Sequence, residues 1–368
     1  MKIRTSLARR LAQCSTALAL LCSASVLAQP AGADGDDFLY RVVKGDTLLD
    51  LSVRYTANTM NWPTLQQINH VEDTLALPIG KVLRIPFSMI PETPAAARLV
   101  YASGQVLVDG RSATSGAQLA EGSTLTTGPG GFATLLLADG STLTIPDGSA
   151  VALDRLQAFQ GTGLTDTILS VESGSVESVV APEQTGVGRF EVRTPVAITG
   201  VRGTRLRVHR DAAGTQTEVL SGVAHLGAVT SGQAMLKPGQ GVATRADGVM
   251  GAVRDLPAVP TLSQPVRGPQ GWQVAFEPVP GATAYLVRVA QDPQGTRPLS
   301  SQQFSSPQEV RFSARGPGTH YVLVRAIGAD GLMGPDAAQP FEGQPVLVSS
   351  NGNPVAAGHG GQVYLTAY

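Results

Sequence analysis

The chain has 368 residues, 42% hydrophobic but only 15% charged and 5% aromatic, with 42 glycines and 25 prolines. That length leaves room for two or three domains. A formal net charge of −1 excludes a nucleic-acid binder held by bulk positive charge.

Residues 1–28 read as a secretory signal peptide. Lys2, Arg4, Arg9 and Arg10 make a basic start. The apolar stretch around Leu18-Ala-Leu-Leu-Cys22 is too short to span a bilayer, and small residues at Val26-Leu-Ala28 place a cleavage after Ala28. Leu21 before Cys22 is too large for a lipoprotein site. Both cysteines, Cys14 and Cys22, fall inside this leader, so the exported chain has no thiol and no disulfide. Losing four basic and no acidic residues takes the formal charge from −1 to −5. No later apolar run reaches the roughly 18 residues of a membrane helix, and the low aromatic content argues against an outer-membrane barrel. The expected location is the periplasm.

After a Gly/Asp-rich lead, residues 38–87 predict a strand–helix–helix–strand unit. Phe38-Leu-Tyr-Arg-Val-Val43 has strand character. Gly45-Asp46 makes a turn, Thr47 and Asp50 start a helix, and Leu48, Leu51 and Tyr55 share one face of it. Asn61 is placed to cap a second helix, with Leu65 and Ile68 toward the core, and Val82-Leu-Arg-Ile85 closes as a strand. Tyr40-Arg-Val-Val-Lys-Gly-Asp-Thr-Leu48, Trp62, Leu65, Asn69, Pro78-Ile-Gly80 and Leu83-Arg-Ile-Pro86 resemble a LysM domain over nearly the whole unit. The resemblance implies a βααβ fold that binds N-acetylglucosamine-containing glycans such as peptidoglycan. It places the glycan contacts on Gly45, Asp46, Thr47 and Leu48 in one loop, and on Leu75, Leu77, Pro78 and Ile79 in the other. The stretch Asn69-His-Val-Glu-Asp-Thr-Leu-Ala-Leu77 makes the second loop longer than in many members. The alternative for Asp46 and Thr47 is that they only cap the helix.

Pro91-Glu-Thr-Pro-Ala-Ala-Ala97 reads as a short stiff linker. Residues 98–252 are β throughout, in short alternating runs between glycine turns. The Gly-Ser units that follow Glu121, Asp139, Asp147 and Glu172-Ser173 recur at irregular spacing, so they read as turns rather than a solenoid or calcium repeat. Thr194-Pro-Val-Ala-Ile-Thr-Gly-Val-Arg-Gly-Thr-Arg-Leu-Arg-Val208, with Leu137-Ala-Asp-Gly-Ser-Thr-Leu143 and Ser173-Gly-Ser-Val176, resembles the FecR-type periplasmic domain. In its founding members that domain relays a signal from an outer-membrane receptor to an inner-membrane anti-sigma region. Here no anti-sigma helix bundle or anchor is read before it and no docking domain after it, so the resemblance lends a fold rather than a signalling mechanism. Thr204, Leu206 and Val208 alternate with Arg205, Arg207 and His209, giving the strand one apolar and one basic face. Arg202, Arg205 and Arg207 are therefore candidates for binding an envelope partner; the alternative is a solvated strand face neutralised by Glu191 and Asp211.

A second proline seam, Leu256-Pro-Ala-Val-Pro260, opens residues 258–342. Trp272-Gln-Val-Ala-Phe276, Pro278-Val-Pro-Gly-Ala-Thr-Ala-Tyr-Leu-Val-Arg-Val289 and Tyr321-Val-Leu-Val-Arg-Ala-Ile327 resemble a fibronectin type III-like β-sandwich, with Trp272, Phe276, Tyr285 and Tyr321 in its core. A Gly-rich tail, 343–368, ends in a strand-like Gln362-Val-Tyr-Leu-Thr366.

Catalytic motifs are missing. With no exported thiol there is no cysteine peptidase. His70, His209, His225, His320 and His359 have no zinc-site spacing, and no nucleophile elbow or phosphate loop occurs. Glu172-Ser and Glu177-Ser echo a transglycosylase dipeptide but lie in a β pattern. The expected protein is multidomain and mainly β: a small βααβ unit, an all-β domain and a β-sandwich. The expected function is non-enzymatic, needs no cofactor or metal, and tethers β adaptor modules to peptidoglycan. The alternatives are an envelope sensor component or, less in keeping with the sequence, a cell-wall glycan hydrolase.

Overall fold

The computed structural model describes residues 30–182, 186–268, 271–314 and 316–343, with three single positions beyond them, 347, 349 and 355. The expected leader 1–28 and nearly all of the tail lie outside the described residues.

The first unit has the expected strands and helices with one strand more. β1 (Pro30–Asp34) pairs antiparallel with β2 (Asp37–Arg41), which pairs with β3 (Val82–Pro86). The Gly/Asp lead thus forms a hairpin, because Gly35 supplies the positive φ of +58° that its tight turn needs. α1 (Leu48–Thr56) starts where Thr47 Oγ1 accepts the Asp50 N–H, 3.1 Å, and buries Leu48, Leu51 and Tyr55 as their spacing requires. α2 (Trp62–Ile68) departs from expectation at both ends. Asn61 makes no side-chain cap; Asn58 instead accepts the Met60 N–H, 2.9 Å, and opens a short 3-10 turn that leads into the helix. Leu65 is buried but Ile68 is exposed. At its far end Asn69 clamps the helix to β3, accepting the Arg84 N–H and donating to the carbonyls of Leu65 and Arg84.

The presumed linker is part of the central sheet. β4 (Glu92–Pro94) is followed by β5 (Ala97–Ser103), then by β6 (Val106–Val108), β7 (Arg111–Ser112), β8 (Gln118–Leu119), β9 (Thr124–Thr127), β10 (Phe132–Leu136) and β11 (Thr142–Ile145). Five longer strands follow: β12 (Ala150–Phe159), β13 (Leu164–Val179), β14 (Val187–Arg193), β15 (Ala197–Arg210) and β16 (Gly214–Ala228). β17 (Gln233–Leu236), β18 (Gln240–Arg245) and β19 (Arg254–Asp255) end the domain. β4 pairs with the end of β12, and Glu92 joins an ion cluster with Arg155, buried Asp166 and Arg189. β13 is the hub. Its first half pairs with β12 and, in parallel, with β14; its second half pairs with β11 and β15. The change of partners falls at Gly174 (φ +73°), where a Cβ would sit 2.4 Å from Ser149 Oγ. The sheet encloses one apolar core that includes Leu99, Leu135, Ile145, Leu169, Leu206 and Val219.

In the third unit, β20 (Val266–Gly268) and β21 (Gly271–Gln273) form a hairpin. β22 (Ala282–Ala290), β23 (Pro298–Phe304), β24 (Thr319–Gly328) and β25 (Ala337–Glu342) form a sheet in the order β23-β22-β24-β25. Trp272 and Phe312 exchange backbone hydrogen bonds of 2.8 and 3.0 Å, adding a third segment to the hairpin layer. Between the layers lie Val287, Val289, Val322 and Val324, with edge-to-face contacts of Phe276 on Tyr285 and Phe312 on Phe341. Trp272 packs against this core, but Tyr321 points to the other face of β24, and Val322 takes the core position expected of it.

The two joints differ in kind. Phe159 and Leu164 of the central domain belong to the core of the first unit, and the Phe87 and Phe159 rings stack at 4.1 Å and 17°. The joint to the third unit merges no cores. It is a seam of charged, polar and a few apolar side chains.

Candidate functional site

The candidate residues of the first unit lie on or beside two turns of the same design. In residues 43–46 the Asp46 N–H reaches the Val43 carbonyl, 3.2 Å, with Gly45 at φ +95° in the third position. In residues 78–81 the Lys81 N–H reaches the Pro78 carbonyl, 3.1 Å, with Gly80 at φ +85° in the third position. Both follow the type II pattern, which requires positive φ there. The backbone ties them together: Gly80 donates to Val42 at 2.8 Å, Val42 to Lys81 at 2.9 Å, and Leu48 to Thr74 at 3.4 Å.

Eight residues were expected to touch glycan, and the structure divides them. Asp46, Leu48 and Leu77 are buried and build the loops. Asp46 accepts from the Tyr40 hydroxyl, 2.7 Å, and from the Val43 N–H, 2.8 Å, with Arg54 3.8 Å away. It is a loop anchor, neither a helix cap nor a surface contact. Burial and then the Asp46 hydrogen bond push the Tyr40 phenol pKa upward, so Tyr40 stays a hydroxyl donor. Thr47 is the cap of α1 and is half-buried. Gly45, Leu75, Pro78 and Ile79 face solvent. Leu75 is 80% and Ile79 70% exposed, held outward by an Asx turn at Asp73 (Leu75 N–H to Oδ1, 2.9 Å) and by the Pro78 turn. Two rigidly presented aliphatic side chains beside turn amides and carbonyls suit a sugar ring, with an apolar face to cover and hydroxyls or an acetamide to bond. The Thr74 carbonyl that joins the loops was not read from the sequence; nothing in a threonine marks it.

Arg202, Arg205 and Arg207 do not form one basic face. Arg207 is buried: its Nη2 donates to the carbonyls of Met333 (2.7 Å) and Gly334 (2.8 Å), and its Nε lies 2.7 Å from Glu218 Oε2 without aiming its N–H at it. The register that turns Arg207 away from the central core turns it into the third unit. Arg202 donates to the carbonyls of Ala33, Gly35 and Gly188, beside a cleft of about 460 Å³ shared by the Asp34–Asp36 turn and β14–β16. Arg189 and Arg193 pair with Asp166 and Glu191. Arg205 and Arg210 alone of the six arginines between 189 and 210 keep unpaired side chains.

No three His, Cys, Asp or Glu gather as a metal site among the described residues. Ser175 Oγ and His209 Nδ1 are 2.7 Å apart, and His209 Nε2 is 3.7 Å from Asp211. They meet because β13 and β15 pair Ser175 opposite His209, and Asp211, half-exposed, lies beyond bonding distance. Burial pushes the His209 pKa down, outweighing the pull of Asp211. Glu177, of the transglycosylase-like dipeptides, is bound to Arg288 and Arg325 in the seam.

Residues 40–86 match the family model of the LysM domain, and residues 123–225 match that of the FecR protein. No curated protein matches the chain. Two crystal structures described as of a candidate anti-sigma factor from Parabacteroides distasonis ATCC 8503 are similar in part. One has 16% identity and a TM-score of 0.30, the other 18% and 0.29; each comparison covers 36% of this chain. The chain spans 59% of the length of those proteins, and at such scores the likeness carries no argument.

Proposed function

We propose that this chain is a non-enzymatic, periplasmic peptidoglycan-binding protein, exported by cleavage after Ala28, that holds two β units at the cell wall. The carrying observation is the pair Leu75 and Ile79, both exposed, one on the Asx turn at Asp73 and the other on the 78–81 turn, inside the segment that matches a LysM domain. Gly45 lines the neighbouring 43–46 turn and Pro78 the 78–81 turn, and Asp46, Leu48 and Leu77 fix the shape of the loops. Binding there raises the concentration of the attached β units at the wall without any chemistry. The third unit, with a four-stranded sheet facing a smaller layer, supports a fibronectin type III-like reading. The test is co-sedimentation of the mature chain with purified sacculi. The wild type sediments, and Leu75→Asp with Ile79→Asp stays in the supernatant with an unchanged melting temperature. Equal sedimentation of a folded double variant would overturn the proposal. Point variants are preferable to deleting residues 38–87, which would expose Phe159 and Leu164.

A second reading, an envelope signalling component, is favoured by the FecR match over residues 123–225. Arg205, the member of the basic trio with an unpaired side chain, is where an envelope protein would make contact. In-cell crosslinking from position 205 decides it: capture of one defined envelope protein favours signalling, and no capture leaves tethering alone. Muropeptide release by the purified protein would instead establish a hydrolase.

A further inference from the structure

The seam between the central domain and the third unit carries six buried or nearly buried charges. Glu177, Arg207 and Glu218 come from the outer face of β13, β15 and β16; Arg288, Arg325 and Asp336 come from the third unit. Glu177 Oε1 accepts from Arg288 at 2.9 Å and from Arg325 at 2.8 Å, and these are the buried ion pairs that cross the seam; a longer, more exposed one, Arg254 to Asp330 at 3.8 Å, crosses at its edge. Each side also holds a pair of its own: Arg207 with Glu218, and Arg325 with Asp336 through two hydrogen bonds of 2.7 and 2.8 Å. The central face therefore carries a net −1 and the third unit a net +1. They attract when together; apart, each side keeps its own ion pair, and Arg207 and Glu218 exchange their bonds to the Met333 and Gly334 backbone for water.

Two further observations set this seam apart from an obligate interface. Five of the six buried side-chain polar atoms without a hydrogen-bond partner among the described residues are here, on Arg207, Gln216, Glu218 and Arg288. Water regains them on opening, which lowers the cost of separation. The apolar cores stay distinct on the two sides, and Leu323 and Leu332, buried in the seam, join neither. At the first joint, by contrast, one core crosses the boundary. The far end of the seam rests on two hydrogen bonds, Tyr101 hydroxyl to Pro298 O (2.7 Å) and Thr134 Oγ1 to Thr296 O (2.5 Å).

We propose that the third unit is a releasable cover over the outer face of the central sheet, latched by Glu177 to Arg288 and Arg325, so that it can swing off as a folded body and uncover that face. The uncovered surface carries Tyr101, Thr134, Glu177, Arg207, Gln216 and Glu218, and suits a basic partner segment that replaces Arg288 and Arg325.

The test compares the full mature chain with two variants of different chemistry. Glu177→Lys places a third cation beside Arg288 and Arg325. Thr134→Trp drives a ring between Thr134 and the Thr296 carbonyl at the opposite end. Small-angle scattering and limited proteolysis of residues 256–265 read the position of the cover, and calorimetry reads whether each unit stays folded. Both variants are expected to give a larger radius of gyration, faster cleavage in that segment and two separate melting transitions. The proposal is overturned if a folded variant pair keeps the wild-type scattering profile and cleavage rate. It is overturned equally if opening the seam melts both units in a single transition.

Discussion

Phe159→Ala tests whether the first unit depends on the central domain for its own core. Phe159 ends β12, is almost wholly buried, stacks on Phe87 and packs with the core of the first unit. Truncating such a ring to Ala costs about 3–5 kcal/mol in lost transfer energy and cavity. A unit of this size holds only about 3–7 kcal/mol of stability on usual per-residue values. The substitution therefore removes roughly half or more of what keeps the two tied turns in place, although it lies more than 70 residues away from them in sequence. Trp62 belongs to the first unit and Trp272 to the third, so a Trp272→Phe background reports the first unit by fluorescence. In urea, the Trp62 transition should move down by more than about 1 M, given usual slopes for small domains, and sacculus binding should weaken with it. A midpoint shift under about 0.3 M would refute the shared core.

Asp46→Ala leaves the Tyr40 hydroxyl and the Val43 N–H without their acceptor, at about 1–3 kcal/mol for each buried group stranded; urea unfolding should show the loss, while Asp50→Ala costs no more than a helix cap, about 1 kcal/mol. Burial pushes the Glu177 pKa up, but Arg288 and Arg325 outweigh it and hold the carboxyl near a pKa of about 2, against 4.5 for an ordinary glutamate. A depressed carboxylate stabilises the fold above its unfolded value and loses that contribution as pH falls through the folded one. The protein should therefore lose stability as pH falls from about 4.5 toward the depressed value. Asp336 is depressed in the same sense, whereas burial raises Glu218, which opposes part of the loss. Thermal melts from pH 6 to 2 should show this decline, flattened in Glu177→Gln; identical pH profiles for both proteins would remove Glu177 from the latch.

The first unit was largely legible because its signals are local. Thr47 caps three residues ahead, Gly45 and Gly80 mark turns that only glycine fits comfortably, and Leu48, Leu51 and Tyr55 keep helical spacing. Ile68 failed because it is the last residue of α2 and lies exposed there while Leu65 is buried, and Asn61 failed because a 3-10 turn capped by Asn58 precedes the helix. Residues 91–97 read as a linker because the pairing partner of β4, β12, lies some 60 residues on, and an edge strand tolerates the missing N–H of Pro94. The charged seam is the clearest omission. The runs Tyr285-Leu-Val-Arg-Val289 and Tyr321-Val-Leu-Val-Arg-Ala-Ile327 each carry one arginine in an otherwise apolar strand, the mark of a sheet buried on both faces with one face polar. Composition gave no means of matching Arg288 to Glu177, 111 residues earlier. The same blindness made Arg207 look like surface.

The central claim is that the tied turns of the first unit hold an N-acetylglucosamine glycan. Titrating an N-acetylglucosamine oligomer into the 15N-labelled mature chain, and following backbone amide shifts, tests it most directly. If the claim is right, the amides of residues 43–48 and 74–80 shift together and saturably, and the shifts vanish in Leu75→Asp with Ile79→Asp. Saturable shifts confined to the β15–β16 face or the seam, or none at all in a folded chain, would contradict it.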